Sequence, residues 1–247
     1  MLSIEHLTKR FGDKVAVHDL SLEVPAGELH AFLGPNGAGK TTTLKCAAGL
    51  LWPTAGRIRV DGHDVHAEPL PAKRVLSYVP DQPYLYERLS GREFLAFVGR
   101  LYGLERRLCA ERVAGLIELF EAKEWADELV ENYSHGMRQK IVLSAALLHE
   151  PRVLMIDEPM VGLDPRSSKL VKTVLRERVA AGCAILMSTH TLSVAEEVAD
   201  RIGIVDRGCL VAQGTYDELC RSASGGSGLE DVFLELTGGT APPRAAT

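Results

Sequence analysis

No two cysteines in this sequence are spaced for a zinc or redox site. The five present, Cys46, Cys109, Cys183, Cys209 and Cys220, are odd in number, widely separated and mostly in apolar stretches. That spacing excludes a disulfide framework and fits a reducing, cytoplasmic compartment. Also missing is any apolar run near the roughly 18 residues a spanning helix needs, so the chain is not expected to cross a membrane by itself. There is no basic excess: 28 Lys plus Arg stand against 33 Asp plus Glu, a formal net charge of −5, which argues against a nucleic-acid partner. No internal repeat is visible. The strand-like start Met1-Leu2-Ser3-Ile4-Glu5 leaves no room for a secretory signal. His63-Asp64-Val65-His66 has metal-ligand residue types but no third ligand at useful spacing, and reads as a solvated turn.

What is present is organised around Gly34-Pro35-Asn36-Gly37-Ala38-Gly39-Lys40-Thr41, followed by Thr42, which fits G-x-x-x-x-G-K-[ST] at every fixed position. Glycines let the backbone turn its N–H groups toward a polyphosphate, Lys40 adds a point charge, and Thr41 offers a hydroxyl to Mg²⁺. Leu29 to Leu33 reads as the buried strand entering this loop and Thr42 to Ala48 as the helix leaving it, whose N-terminus attracts the anion.

The rest of the pattern supplies two sheets and a helical insertion. Leu2 to Val24 alternates as antiparallel strands joined by the turn Phe11-Gly12-Asp13-Lys14, and Arg57 to Val60 reads as another strand. Val75 to Val79 is a short strand stopped by Pro80 and Pro83. From about Tyr84 to Glu150 the periodicity turns helical, a lobe of residues 84–149 inserted into a core formed by 1–83 and 150–220. Strands Val153–Ile156, Ala184–Met187 and Ile202–Val205 then alternate with helices Ser168–Ala180 and Val194–Ala199, which implies a parallel sheet with its ligand at the strands' C-terminal ends. Asp206-Arg207-Gly208 turns the chain into a hairpin with Cys209 to Ala212. Residues 222–228 read as a linker, 229–236 as a short helix and 238–247 as a disordered tail.

Asp157 and Glu158 follow an apolar strand that delivers them to the phosphate loop. Asp157 is the candidate to hold Mg²⁺, and Glu158, one residue further out, to polarise a water against the γ-phosphate. Asn132-Tyr133-Ser134-His135-Gly136-Met137 precedes an apolar helix, Ile141 to His149, and offers a second anion-binding helix start, with Ser134 as N-cap and Gly136 admitting close approach.

Loop, Ser-x-Gly-x-x-Gln segment, strand-Asp-Glu, Gly162-Leu163-Asp164-Pro165 and a strand ending Ser188-Thr189-His190 together resemble the ABC transporter nucleotide-binding subunit, from Leu2 to about Gly239. The resemblance implies a P-loop NTPase of α/β class: a RecA-like, mostly parallel core, an N-terminal antiparallel β-subdomain and an inserted α-helical subdomain. It makes Ser134 to Met137 the signature, Gly162 to Asp164 the D-loop and His190 a γ-phosphate contact. Phe11 matches the aromatic position for adenine, with a core phenylalanine as the other reading; Val17 is grouped with the nucleotide-contacting residues. It further implies ATP and Mg²⁺ as ligands, a second ATP-binding subunit closing head to tail over two ATPs, and a separate transmembrane permease at the cytoplasmic face of the membrane. The runs around Val79 and Met137 resemble the ABC-2 type, multidrug-efflux branch, hence export. A soluble ABC ATPase acting on DNA or the ribosome is the alternative reading. Two departures stand out. The signature reads Tyr-Ser-His-Gly-Met, and the glutamine expected after Val79-Pro80 is replaced by Asp81, with Gln82 next. Either Asp81 contacts Mg²⁺ through water or Gln82 takes the role, and Gln82 is the preferred of the two.

Overall fold

Leu29–Leu33 is buried at all five positions, as the central strand of a sheet covered on both faces must be. In the computed structural model, which describes residues 1–82, 84–222 and 228–238, its side chains divide between two cores. Ala31 and Leu33 pack with Leu154, Ile156 and Met187 toward the helical lobe. Phe32 packs with Met155, Leu186 and Val205 toward the N-terminal sheet and the helix after the phosphate loop.

The chain begins with the hairpin β1 (Leu2–Phe11) and β2 (Lys14–Val24), enters β3 (Leu29–Leu33), and leaves the loop as α1 (Lys40–Ala47). β4 (Ala55–Val60), β5 (His63–Asp64), α2 (Pro69–Val75) and β6 (Leu76–Val79) follow. The lobe contains α3 (Gly91–Leu101), α4 (Arg106–Leu119) and α5 (His135–Leu147). The core then resumes with β7 (Val153–Asp157), α6 (Pro165–Ala180), β8 (Ala184–Thr189), α7 (Leu192–Val198), β9 (Arg201–Asp206) and β10 (Cys209–Gly214), and ends with α8 (Tyr216–Ser222) and α9 (Leu229–Thr237).

One sheet is antiparallel, in the order β2-β1-β4-β5. The other runs β10-β9-β3-β8-β7-β6, parallel except for the edge strand β10. Its ligand-bearing loops therefore emerge together at the C-terminal ends of β3, β7 and β8.

Several boundaries differ from the sequence reading, and each difference traces to a cap or a proline. Val75 closes a helix rather than opening a strand, because Pro69 sits at the first helical position, where a missing N–H costs nothing. α1 starts at Lys40, two residues early, directly off Gly39. α5 starts at His135 rather than Ile141, because the Ser134 hydroxyl accepts from the Met137 N–H at 3.3 Å. α6 starts at Pro165, with Asp164 accepting from the Ser167 N–H at 2.9 Å. Helix α8 had no counterpart in the sequence reading. Of the expected linker 222–228 and tail 238–247, residues 223–227 and 239–247 lie outside the described residues, while Ser222 ends α8 and Gly228 and Gly238 flank α9.

Candidate functional site

The loop after β3 is shaped by glycines that no other residue could replace without movement. A Cβ on Gly34 would lie 2.3 Å from the Val205 carbonyl oxygen of β9, and one on Gly39 would lie 2.5 Å from that of Ala16 in β2. Gly39 also has φ +103, so the loop is pressed between two sheets where only a hydrogen fits. The tip of the β9–β10 hairpin braces it further: the Gly208 N–H donates to Ala38 O and the His18 N–H donates to Gly208 O, both at 2.9 Å.

These elements enclose a cavity of about 540 Å³. Asn36, Gly37, Ala38, Gly39, Lys40, Thr41 and Thr42 line one side, and Phe11 with Lys14, Val15 and Ala16 the other. Phe11 is 48% exposed and carries the Lys9 ammonium 4.9 Å from its ring centroid, which removes the core-phenylalanine alternative. Val17 is placed differently: it is fully buried beneath the loop, its methyl facing Gly39, while its neighbours Val15 and Ala16 reach the cavity. The β1–β2 register shifts here, with Lys9 opposite Val17 and Arg10 opposite Val15, so the extra residue Ala16 breaks the alternation. Gly34 likewise supports the loop from the sheet side. Asp81 and Glu158 line the cavity floor, but Gln82 does not. The Gln82 N–H donates to the Asp81 carboxylate at 2.8 Å, so the turn points Asp81 inward, against the preference for Gln82.

Asp157 closes β7, fully buried. Its Oδ1 accepts a short hydrogen bond from the Ser188 hydroxyl, and its Oδ2 is buried without a partner. A buried carboxylate oxygen with nothing to pair it is costly, and a divalent cation shared with the Thr41 hydroxyl would satisfy it, so these residues fit Mg²⁺. Glu158 has φ +51, a conformation costly for a side chain of this size and retained where the surroundings over-determine it. Its N–H is held at 3.2 Å by both the carbonyl and the hydroxyl of Ser188. Its Oε1 is 2.9 Å from His190 Nδ1 and 3.8 Å from Lys40 Nζ. Lys40 also donates to the carbonyls of Gly34 at 2.6 Å and Pro35 at 3.2 Å. Burial lowers the Lys40 pKa, while Glu158 and Asp157 pull it back up.

Lysine, glutamate and histidine are thus brought together from β3, β7 and β8. Ser134, Gly136, Met137 and Asp164 are not among the residues lining this cavity; they stand at the starts of α5 and α6. The sequence reading missed Lys14 and Arg207 on the cavity wall and Ser188 as the partner of Asp157. The available signals were the basic residues at the two hairpin turns and the hydroxyl in Ser188-Thr189-His190.

A mostly parallel sheet with a lysine loop at its strand ends and an Asp-Glu pair beside it defines a P-loop nucleotide hydrolase. Residues 17–161 match the ABC transporter family model, and the chain belongs to that family as an ATP-hydrolysing, ATP-binding subunit. It is 41% identical to a daunorubicin resistance ATP-binding protein of Streptomyces coeruleorubidus, covering 95% of this chain and 74% of the relative. It is 35% identical to a linearmycin resistance ATP-binding protein of Bacillus subtilis (strain 168), covering 96% and 75%. Among solved structures, an ATP-binding subunit of an ABC transporter superposes with a TM-score of 0.90 at 33% identity, over 96% of this chain and 99% of that one. A dimeric ATP-binding cassette bound to ADP and Pi shares the fold, with a TM-score of 0.80 at 21% identity over 87% and 98%.

Proposed function

We propose that this ATPase works as one of a pair of subunits that close over ATP, driving export of a small molecule through a separate membrane permease. The observation that carries the catalytic reading is the Glu158 carboxylate held between His190 and Lys40 beside the phosphate loop. Glu158 is placed to orient and polarise a water. Lys40 and the first-turn N–H groups of α1 hold the β- and γ-phosphates, and Phe11 offers its ring face to the adenine. Thr41 and Asp157, with Asp81 nearby, would hold Mg²⁺, which supplies charge neutralisation at the phosphates. His190 keeps the Glu158 carboxylate in place and can sense the γ-phosphate.

Two features support pairing and coupling. The start of α5 lies outside the cavity, so its N–H groups can serve a nucleotide bound to a facing copy; the likeness to a cassette solved as a dimer is consistent with this. Between β6 and the helical lobe, Tyr78, Tyr84, Phe94, Val98 and Tyr102 line an apolar groove. Tyr84 is 86% exposed, and a permease segment would cover such a surface. No helix among the described residues is long and apolar enough to cross a membrane, so translocation needs such a partner at the cytoplasmic face. The resistance names of the relatives favour export.

Glu158→Gln tests the assignment. It should retain ATP binding, lower turnover by roughly 10²-fold or more, and accumulate an ATP-bound dimer on gel filtration. Wild-type turnover, or a chain that stays monomeric in ATP, refutes the reading.

A further inference from the structure

The ring of His135 lies between the start of α5 and the loop that follows Glu158. Its Nε2 is 3.1 Å from the Val161 carbonyl oxygen, which can only accept, so Nε2 carries the donated proton. Gly162 follows at φ +74, and a Cβ there would lie 2.7 Å from His135 Cδ2 and 3.0 Å from Nε2. The loop rests on the imidazole with only a hydrogen between them. Beside it, a Cβ on Gly136 would meet Leu163 Cδ2 at 3.8 Å. The Val161 N–H donates to the Glu158 carbonyl at 3.3 Å. Two hydrogen bonds therefore lead from the first residue of α5 to the backbone of Glu158, itself held at positive φ.

We propose that His135 is a positioning residue for hydrolysis: a strut that transmits the placement of the signature helix to Glu158 in the same chain, so that the two sites of a pair act cooperatively. This rests on the paired-subunit reading. The start of α5 would touch the nucleotide held by the facing copy, whereas Glu158 serves the chain's own site. A shift of α5 by a few tenths of an ångström would load or slacken the Val161 bond and with it the turn that presents the carboxylate. Helix initiation does not need the imidazole, because Ser134 already caps α5.

The test is steady-state ATPase against ATP concentration for the full chain, its His135→Ala and its His135→Gln variants. His135→Ala should lower kcat about fivefold to tenfold, the scale of one hydrogen bond lost in the transition state. Half-saturating ATP should stay within about twofold while the Hill slope falls toward one. In His135→Gln the side-chain amide can donate to the same carbonyl and should restore most of the loss. A second measurement is the cycle of His135→Gly with Gly162→Ala: the added methyl should cost more kcat when the imidazole is present than when it is absent. Wild-type kcat in His135→Ala, a His135→Gln as slow as His135→Ala, or an additive cycle overturns the strut. A Glu158→Gln chain that stays monomeric in ATP overturns the pairing and the cooperativity with it, while kcat loss and amide rescue still decide the strut itself.

Discussion

The starts of α1 and α5 are the two helix N-termini proposed to meet phosphate, yet the chain holds them in opposite ways. At α1 the N-cap is Gly39, with no capping side chain; its position is fixed by backbone pressed against Ala16 and braced by Gly208. The first-turn donors are left for phosphate. At α5 the N-cap is Ser134, whose hydroxyl takes up the Met137 N–H, and the segment is exposed. One helix start is rigid with its donors uncommitted, as a permanent ligand site requires. The other commits the Met137 N–H to its own cap and rests, through His135, on the loop after Glu158.

Substituting glycines should break this comparison most strongly. Gly39→Ala forces a Cβ to 2.5 Å from the Ala16 carbonyl at φ +103, whereas Gly37→Ala at φ +83 meets nothing within 4 Å. The first should lose about 3 kcal/mol of stability together with ATP binding, and the second about 1 kcal/mol, by urea denaturation. Equal losses would mean that left-handed strain, and not the sheet pressing on the loop, shapes the cradle.

A second difference lies at the far end of α5. Beyond it His149 stacks on Tyr102 of the lobe with ring centroids 3.6 Å apart, and burial pushes its pKa down to about 4. The folded state therefore binds the proton less readily than the unfolded chain, whose histidine titrates near 6.5. Stability contributed by the neutral ring is full above that value and is lost as the pH falls toward 4. Between pH 7 and pH 5 the loss should reach about 2 kcal/mol, and His149→Phe should remove that part of the pH dependence. Amide exchange at pH 5 should rise in α5 before α1; a uniform rise would erase the distinction between the two helices.

The contrast also explains what was legible in the sequence. Gly34 to Thr42, Asp157-Glu158 and His190 are readable because each sits at a strand end within a contiguous motif, and a parallel sheet delivers strand ends to one edge. Lys14 and Arg207 were not, because they reach the cavity from hairpin turns whose approach depends on how two sheets pack. Asp81 against Gln82 turns on one local bond, the Gln82 N–H to the Asp81 carboxylate, and periodicity is blind to it. The starts of α5 and α6 were placed late because apolar spacing marks where a helix meets the core, whereas a cap marks where it begins.

Removing the cap tests the smallest of these effects. Ser134→Ala withdraws one acceptor from an exposed helix end, so the folded chain should lose only about 1 kcal/mol. ATP affinity of the isolated subunit should be unchanged, because Ser134 does not line the nucleotide cavity. In the Glu158→Gln background, however, ATP-driven dimer should fall several-fold by gel filtration, since the same hydroxyl would face the phosphates of the other copy. If Ser134→Ala weakens ATP binding to the monomer instead, the two helix starts belong to one site within one chain, and the division of labour between α1 and α5 collapses.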